Sequence, residues 1–329
     1  MCQLQEFELK NSQGTQVKII NLGARLVEFI VPTKKYGQIN TILGYDKPEH
    51  YLNDSMYHGA IAGQYCNRIS NGNFSLDNQA HHLEINEHPN HLHGGENGFH
   101  RKYWDVLEHS DCELKMQLKL KDGENGYPGN TTVTLIYQLK ADHTLKIYWT
   151  AISDKNTVFN ITSHSYFNLS GFDEIKNHYL KIPTGFYTPH NEQQIPTGEI
   201  KSTVNTPFDL REFTKLDSII NSEHPEIVCH GGFDHNWAFG NANELKLLAE
   251  LYSYDTELLL QVHSTLPGLQ CYTGNQLALS GIHGAHEGVC LEPQYYPDSP
   301  NQTNFPKCTL KANQPMTHEI NLTFKEITK

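Results

Sequence analysis

The chain has 329 residues, with 25 Lys and Arg against 37 Asp and Glu and a formal charge of -12; its cations are scattered, which argues against nucleic acid as a partner. No run of 18 apolar residues occurs, and the first ten positions lack the basic and apolar regions of a leader. The expectation is a soluble, cytoplasmic protein with no membrane partner, whose scattered cysteines, lacking any Cys-x-x-Cys pair, are reduced core residues.

Length alone suggests about two domains, yet no Gly/Ser or Pro linker, charge block or fixed-period repeat divides the sequence. One domain over residues 1–329 is therefore expected. Residues 17–32 read as two β segments separated at Gly23. Leu114, Met116, Leu118 and Leu120 alternate with Lys115, Gln117, Lys119 and Lys121, the period of a half-buried strand. Residues 131–139, 144–152, 258–263 and 320–324 are rich in β-branched, aromatic and other apolar residues and read as further strands. Residues 245–251 fit either a strand or one short helix. With turn residues every ten or so positions and no βαβ rhythm, the chain reads as an all-β antiparallel sandwich or barrel.

Loops between these strands carry the chemistry. Arg68 sits in a Gly/Asn-rich stretch at 63–73, where its guanidinium could fork onto hydroxyls or a carboxylate; an ordinary surface ion pair is the plain alternative. His91 and His93, two apart and followed by Glu96, would share one strand face and so resemble the metal site of a cupin. Gly94 and Gly95 suggest close backbone approach to a ligand, and hydrogen bonding ranks above metal binding there. The turn-rich loop 122–130 is a candidate pocket wall. Residues 160–171 read as a strand running into an Asn/Ser/Gly turn, with His164 on rigid backbone where it can trade protons near neutral pH; a core histidine bonded to a carbonyl is the alternative. Asp234 precedes Trp237, a carboxylate and an aromatic face that would suit a sugar ring. Gln270 lies toward the end of a strand that stops at Gly274. Glu292 closes an apolar run, so its carboxylate is expected at a strand end, partly desolvated and raised toward base catalysis.

Taken together, Asn-Arg-Ile at 67–69, Leu-His-Gly-Gly at 92–95, Asp-Gly-Glu-Asn-Gly-Tyr-Pro-Gly at 122–129, His-Ser-Tyr-Phe-Asn-Leu at 164–169, Asp-His-Asn-Trp at 234–237, and Leu-Glu-Pro-Gln with Pro-Asp-Ser-Pro-Asn at 291–301 closely resemble the aldose 1-epimerase, or galactose mutarotase, family. The resemblance runs from about residue 21 to residue 306. It implies a large antiparallel β-sandwich (supersandwich) that interconverts anomers of aldoses such as galactose and glucose, needs no cofactor or metal, and acts as a monomer or homodimer on a small-molecule aldose. Carried onto this sequence, it implies Glu292 as general base, His164 as general acid and His93 as second ring-oxygen histidine. Arg68, Asp234, Gln270 and Asn67 would bind hydroxyls. Gly-Phe-His-Arg at 98–101, Ala312-Asn313, Pro293 and Trp237 depart from the family's commoner residues without removing a catalytic group.

Ring opening needs a proton to leave the C1 hydroxyl while another reaches the ring oxygen. With ordinary pKa values of about 4.3 and 6.5, Glu292 would be ionised at neutral pH, and His164 would have to be held protonated by a nearby carboxylate. Competing readings are a non-catalytic carbohydrate-binding domain, a glycosidase using Glu292 with Asp234, the cupin-like metal protein, and an epimerase of sugar phosphates using Arg101 or Lys102.

Overall fold

The period-two geometry of residues 131–139 sends Thr131, Val133, Leu135, Tyr137 and Leu139, all but the first apolar or aromatic, inward and leaves the alternate side chains half-buried. That strand pairs with Glu113–Leu120, Leu114 opposite Tyr137 and Leu118 opposite Val133. Together they begin the frame of a computed structural model that describes residues 3–171 and 174–327. Nine antiparallel strands make up this sheet, in the order Asp105–His109, Glu113–Leu120, Thr131–Leu139, Thr144–Ser153, Met316–Glu326, Leu258–Ser264, Lys246–Ser253, His178–Lys181 and Thr214–Lys215. A second, six-stranded sheet runs Tyr166–Phe167, Val289–Gln294, Gly268–Tyr272, Asp234–Ala238, Phe186–Thr188 and Lys201–Ser202. Trp149, Leu260, Val262 and Ile320 from the first sheet share one buried cluster with Trp237, Leu269 and Leu291 from the second. Burial of each such side chain stabilises the sandwich by roughly 1.5–3 kcal/mol. Among the described residues no helix is long and apolar enough to cross a membrane.

Gly23 separates Gln16–Ile20 from Arg25–Thr33 at a positive φ of 71°. A Cβ there would lie 2.9 Å from the carbonyl oxygen of His100, so both conformation and space call for glycine. The ambiguous stretch at 245–251 is strand, part of Lys246–Ser253, paired on both sides. A register shift between Leu247 and Ala249 changes side-chain parity mid-strand, which erases the alternation that would have marked it as β.

Beneath the second sheet's edge lies a buried ionic hub. Arg25 Nη1 donates to Asp54 Oδ2 (2.6 Å) and to the His58 carbonyl (2.8 Å). Asp54 also accepts from the backbone N–H of Met56 and His58 and from the Tyr45 hydroxyl, and it pairs with His58 Nδ1 at 2.8 Å. Burial alone would raise the Asp54 carboxyl, but the hydrogen bonds and charges of His58 and Arg25 outweigh it and hold it well below the usual carboxylate range. The depressed folded-state value means this stabilisation is present above the unfolded value of about 3.9 and is lost as pH falls through the folded one. Asp54→Asn would strand the buried Arg25 charge. Urea unfolding is expected to show a loss of roughly 3–5 kcal/mol; a loss near zero would mean the hub does not hold this corner together.

Candidate active site

Three neighbouring strands of the second sheet place the polar floor. Asn236 pairs with Gln270, Gln270 with Glu292, and Asp234 with Tyr272. Side chains two apart share a face, so Asp234, Gln270 and Glu292 stand together while His235, Trp237, Leu269 and Leu291 point the other way. Trp237 therefore does not flank Asp234 over a sugar, as the sequence suggested. It lies in the core and donates its Nε1–H to the Phe208 carbonyl at 3.0 Å. Nor does Glu292 close its strand: it lies within Val289–Gln294 and is 2% exposed.

His164 ends the short strand Thr162–His164, which pairs with Ala60–Ala62, and its carbonyl accepts from Gly59 N–H at 2.9 Å. This anchorage brings His164 Nε2 to 3.9 Å from Glu292 Oε1. His93 arrives from another loop at a positive φ of 50°, followed by Gly94 and Gly95, both also positive. A Cβ on Gly94 would fall 1.8 Å from the Gly63 carbonyl oxygen, the physical reason for glycine there. Asn67 N–H donates to His93 Nδ1 at 3.1 Å, so a neutral His93 carries its proton on Nε2.

That sharp turn also undoes the cupin-like pairing. The strand stops at Leu92, so His91 does not share a face with His93; its Nδ1 meets the Glu84 carbonyl and its Nε2 the Tyr127 hydroxyl, each at 2.7 Å. Among the described residues, the donor trio close enough to share an ion is His164, Cys290 and Glu292, with atoms within 4.8 Å of one another. Burial pushes the Cys290 thiol well up, which keeps it protonated beside the histidine. Loop 122–130 is no pocket wall. Asn125 braces the Gly94 turn from behind, donating to the Gly94 and Asn97 carbonyls.

These groups surround a cavity of about 430 Å³ lined by Asn67, Arg68, His93, His164, Asp234 and Glu292, among others. Gln270 does not line it. Its Nε2 donates to Asp234 Oδ1 at 2.6 Å, and Gln194 donates to Asp234 Oδ2 at the same distance. Arg68 forks onto Glu87, Nε to Oε2 at 2.6 Å and Nη2 to Oε1 at 2.7 Å, and its Nη1 lies 3.6 Å from Asp234 Oδ2. The lining residues that the sequence did not mark for the site include Glu87, Gln194 and Tyr57, and His100, noted there only as a departure from the family's commoner residues. The Tyr57 ring packs 4.6 Å from His93, 4.7 Å from His100 and 5.7 Å from His164. The one usable signal was Arg68 itself, since a buried guanidinium requires a carboxylate.

Residues 5–323 match the aldose 1-epimerase family. The chain belongs to that family. It is 36% identical over 323 residues to galactose mutarotase of Bos taurus, covering 96% of this chain and 92% of the relative. To aldose 1-epimerase of Escherichia coli K12 it is 32% identical over 315 residues, 93% and 91% of the two chains. Among solved structures it resembles galactose 1-epimerase of Lactobacillus acidophilus at a TM-score of 0.87 and 26% identity, over 100% of both chains. An aldose epimerase homologue of C. elegans gives 0.91 at 24% identity, over 99% of this chain and 100% of that one, which speaks for the fold alone.

Within this family member, burial governs the ionisation of the pair. It pushes the Glu292 carboxyl well up, reinforced by the Asp234 charge and opposed by Arg68. It pulls His164 down to about 4 and His93 well below the usual imidazole value. Burial thus works against the expected ionised Glu292 facing a protonated His164, since among the described residues no carboxylate lies within hydrogen-bond distance of His164 to offset its desolvation. Asp234 behaves oppositely: burial works against its charge, yet Arg68 and Gln270 hold it below the ordinary carboxylate range. His100 is brought down to about 3 by burial and by the charges of Arg25 and Arg101, so it adds a neutral side chain to the cavity.

Proposed function

We propose that this protein is an aldose 1-epimerase, an isomerase interconverting the α and β anomers of aldohexoses such as galactose and glucose. The observation that carries this reading is the meeting of two buried proton-transfer groups, Glu292 and His164, 3.9 Å apart at one polar cavity. Glu292 takes the proton of the C1 hydroxyl as His164 gives one to the ring oxygen. The open aldehyde turns about its C1–C2 bond, and the reverse transfers close the ring on the other face. His93 steadies the ring oxygen through its Nε2–H. Arg68, Asp234 and Asn67 bind hydroxyls, and Gln270 acts by fixing Asp234. The same reading takes residues 1–329 as one cytoplasmic domain, monomeric or homodimeric, acting on a small-molecule aldose.

The pair that burial favours and the working pair hold the same number of protons. A neutral Glu292 beside a neutral His164 differs from carboxylate beside imidazolium by the transfer of one proton, and the two groups titrate as a pair. A bound sugar supplies hydroxyls that solvate the charged form, so the substrate itself shifts the proton onto the histidine.

The rival readings fit less well. Asp234 is taken up by the amides of Gln194 and Gln270 and lies against Arg68, and a glycosidase pairing it with Glu292 would leave His164, 3.9 Å from Glu292, without a role. Lys102 is paired with Glu124 and does not line the cavity, and Arg101, which does, is alone there apart from the Arg68 already held by Glu87, so no cluster of free cations awaits a sugar phosphate among the described residues. Polarimetry on freshly dissolved α-D-galactose and α-D-glucose is expected to show faster mutarotation that persists in chelator. Binding of either sugar without acceleration would make the protein a carbohydrate-binding module, and loss of activity in chelator would return the His164–Cys290–Glu292 trio to consideration as a metal site.

A further inference from the structure

We propose that Glu87 restricts the cavity to uncharged sugars by occupying the guanidinium edge of Arg68 that a carboxylate or phosphate would otherwise claim. This rests on the epimerase reading of the same cavity. Arg68 is the lining residue best suited to bind an anion, since a guanidinium presents paired N–H groups that match two oxygens at once. In this protein that match is already made. Nε and Nη2 hold both oxygens of Glu87 at 2.6 and 2.7 Å, and Nη1 faces Asp234 at 3.6 Å.

Charge points the same way. Two carboxylates attend one guanidinium, and Glu96 also lines the cavity. Arg101, the other lining cation, has Nη1 bonded to the Leu52 carbonyl at 2.7 Å. Position matters as well. The Glu87 side chain is 36% exposed against 9% for Arg68, so Glu87 stands outside the guanidinium and an entering anion meets its charge first. The Glu87 backbone is held in a tight turn, its N–H donating to the Asn90 carbonyl and its carbonyl accepting from Asn90 N–H. Neutral hydroxyls can still reach the remaining N–H groups, whereas a uronate or a hexose phosphate must displace Glu87 or bear its repulsion.

The test compares kcat/KM for D-galactose and D-galacturonate, followed by anomer exchange in NMR, in the unaltered protein and in Glu87→Gln. The unaltered protein is expected to favour galactose strongly, with the preference shrinking as salt is added. Glu87→Gln is expected to move the ratio toward galacturonate by on the order of tenfold, through removal of one nearby charge. An unchanged ratio in folded Glu87→Gln, or equal use of both sugars by the unaltered protein, overturns the proposal. Should the variant fail to fold, inhibition of galactose exchange in the unaltered protein decides. Cationic D-galactosamine is expected to inhibit more strongly than galacturonate, and the reverse order overturns it. Failure of the unaltered protein to accelerate either galactose or glucose exchange would instead sink the epimerase reading.

Discussion

Glu292→Gln is expected to lower kcat for galactose anomer exchange by roughly a hundred- to ten-thousandfold, the contribution of one positioned proton-transfer group, with little change in stability. Glutamine keeps the shape of the side chain, and its amide can remain in the row with Gln270 across the strand pair. What it cannot do is accept the proton of the C1 hydroxyl. Since Glu292 Oε2 is buried without a hydrogen-bond partner and burial disfavours the carboxylate, the substitution removes an isolated buried acid and not a structural ion pair. The informative pattern is a collapse of kcat with KM altered much less. If the folded variant kept near-full activity, the base would have to be sought elsewhere in the cavity.

The same electrostatics set the pH profile. The working pair carries one proton, so activity falls on the acid side when a second proton binds and on the alkaline side when the last one leaves. His164, pulled down to about 4, places the acid limb well below the ordinary imidazole range, and Glu292, pushed up by burial, places the alkaline limb above the ordinary carboxylate range. Measured against pH, kcat/KM is therefore expected to hold level between an acid limb below the ordinary imidazole range and an alkaline limb above the ordinary carboxylate range.

Much of this frame is legible in the sequence because it depends on near neighbours. The alternation at 131–139 and 114–120 needs only the period-two geometry of a strand, and Gly23 and Gly94 mark positive φ that few other residues tolerate. Each motif residue of the site could also be marked one at a time. Their assembly could not, because Arg68, His93, His164, Asp234 and Glu292 reach one cavity from separate loops and strands. Trp237 shows the limit within a single motif: three positions from Asp234 along a strand, it must point to the opposite face, a parity that depended on residues 234–238 being extended. Glu87 and Gln194 show the limit between motifs. Each touches a named site residue, yet 19 and 40 positions separate them from Arg68 and Asp234, and nothing local distinguishes them from the chain's other acids and amides. Ionisation was least legible, since it depends on burial and on which distant groups come to face His164, the Cys290 thiol at 3.6 Å and the Glu292 carboxyl at 3.9 Å.

His164→Asn is the complementary change, and its expected signature separates the acid from the base. Asparagine preserves a hydrogen-bond donor at the end of Thr162–His164 but cannot pass a proton to the ring oxygen, so kcat is expected to fall by roughly a hundred- to ten-thousandfold. His93 cannot replace it. Its Nδ1 accepts from the Asn67 N–H, and burial with the Arg68 charge, both unchanged in the variant, keeps it neutral, leaving a hydrogen bond in place of a transferable proton. Removing the imidazole also removes the group whose titration near 4 forms the acid limb, so that limb should disappear or be replaced by one belonging to Glu292 alone. A lower rate with an unaltered pH profile would mean that His164 only shapes the cavity, since loss of packing depresses the rate without changing which proton is counted.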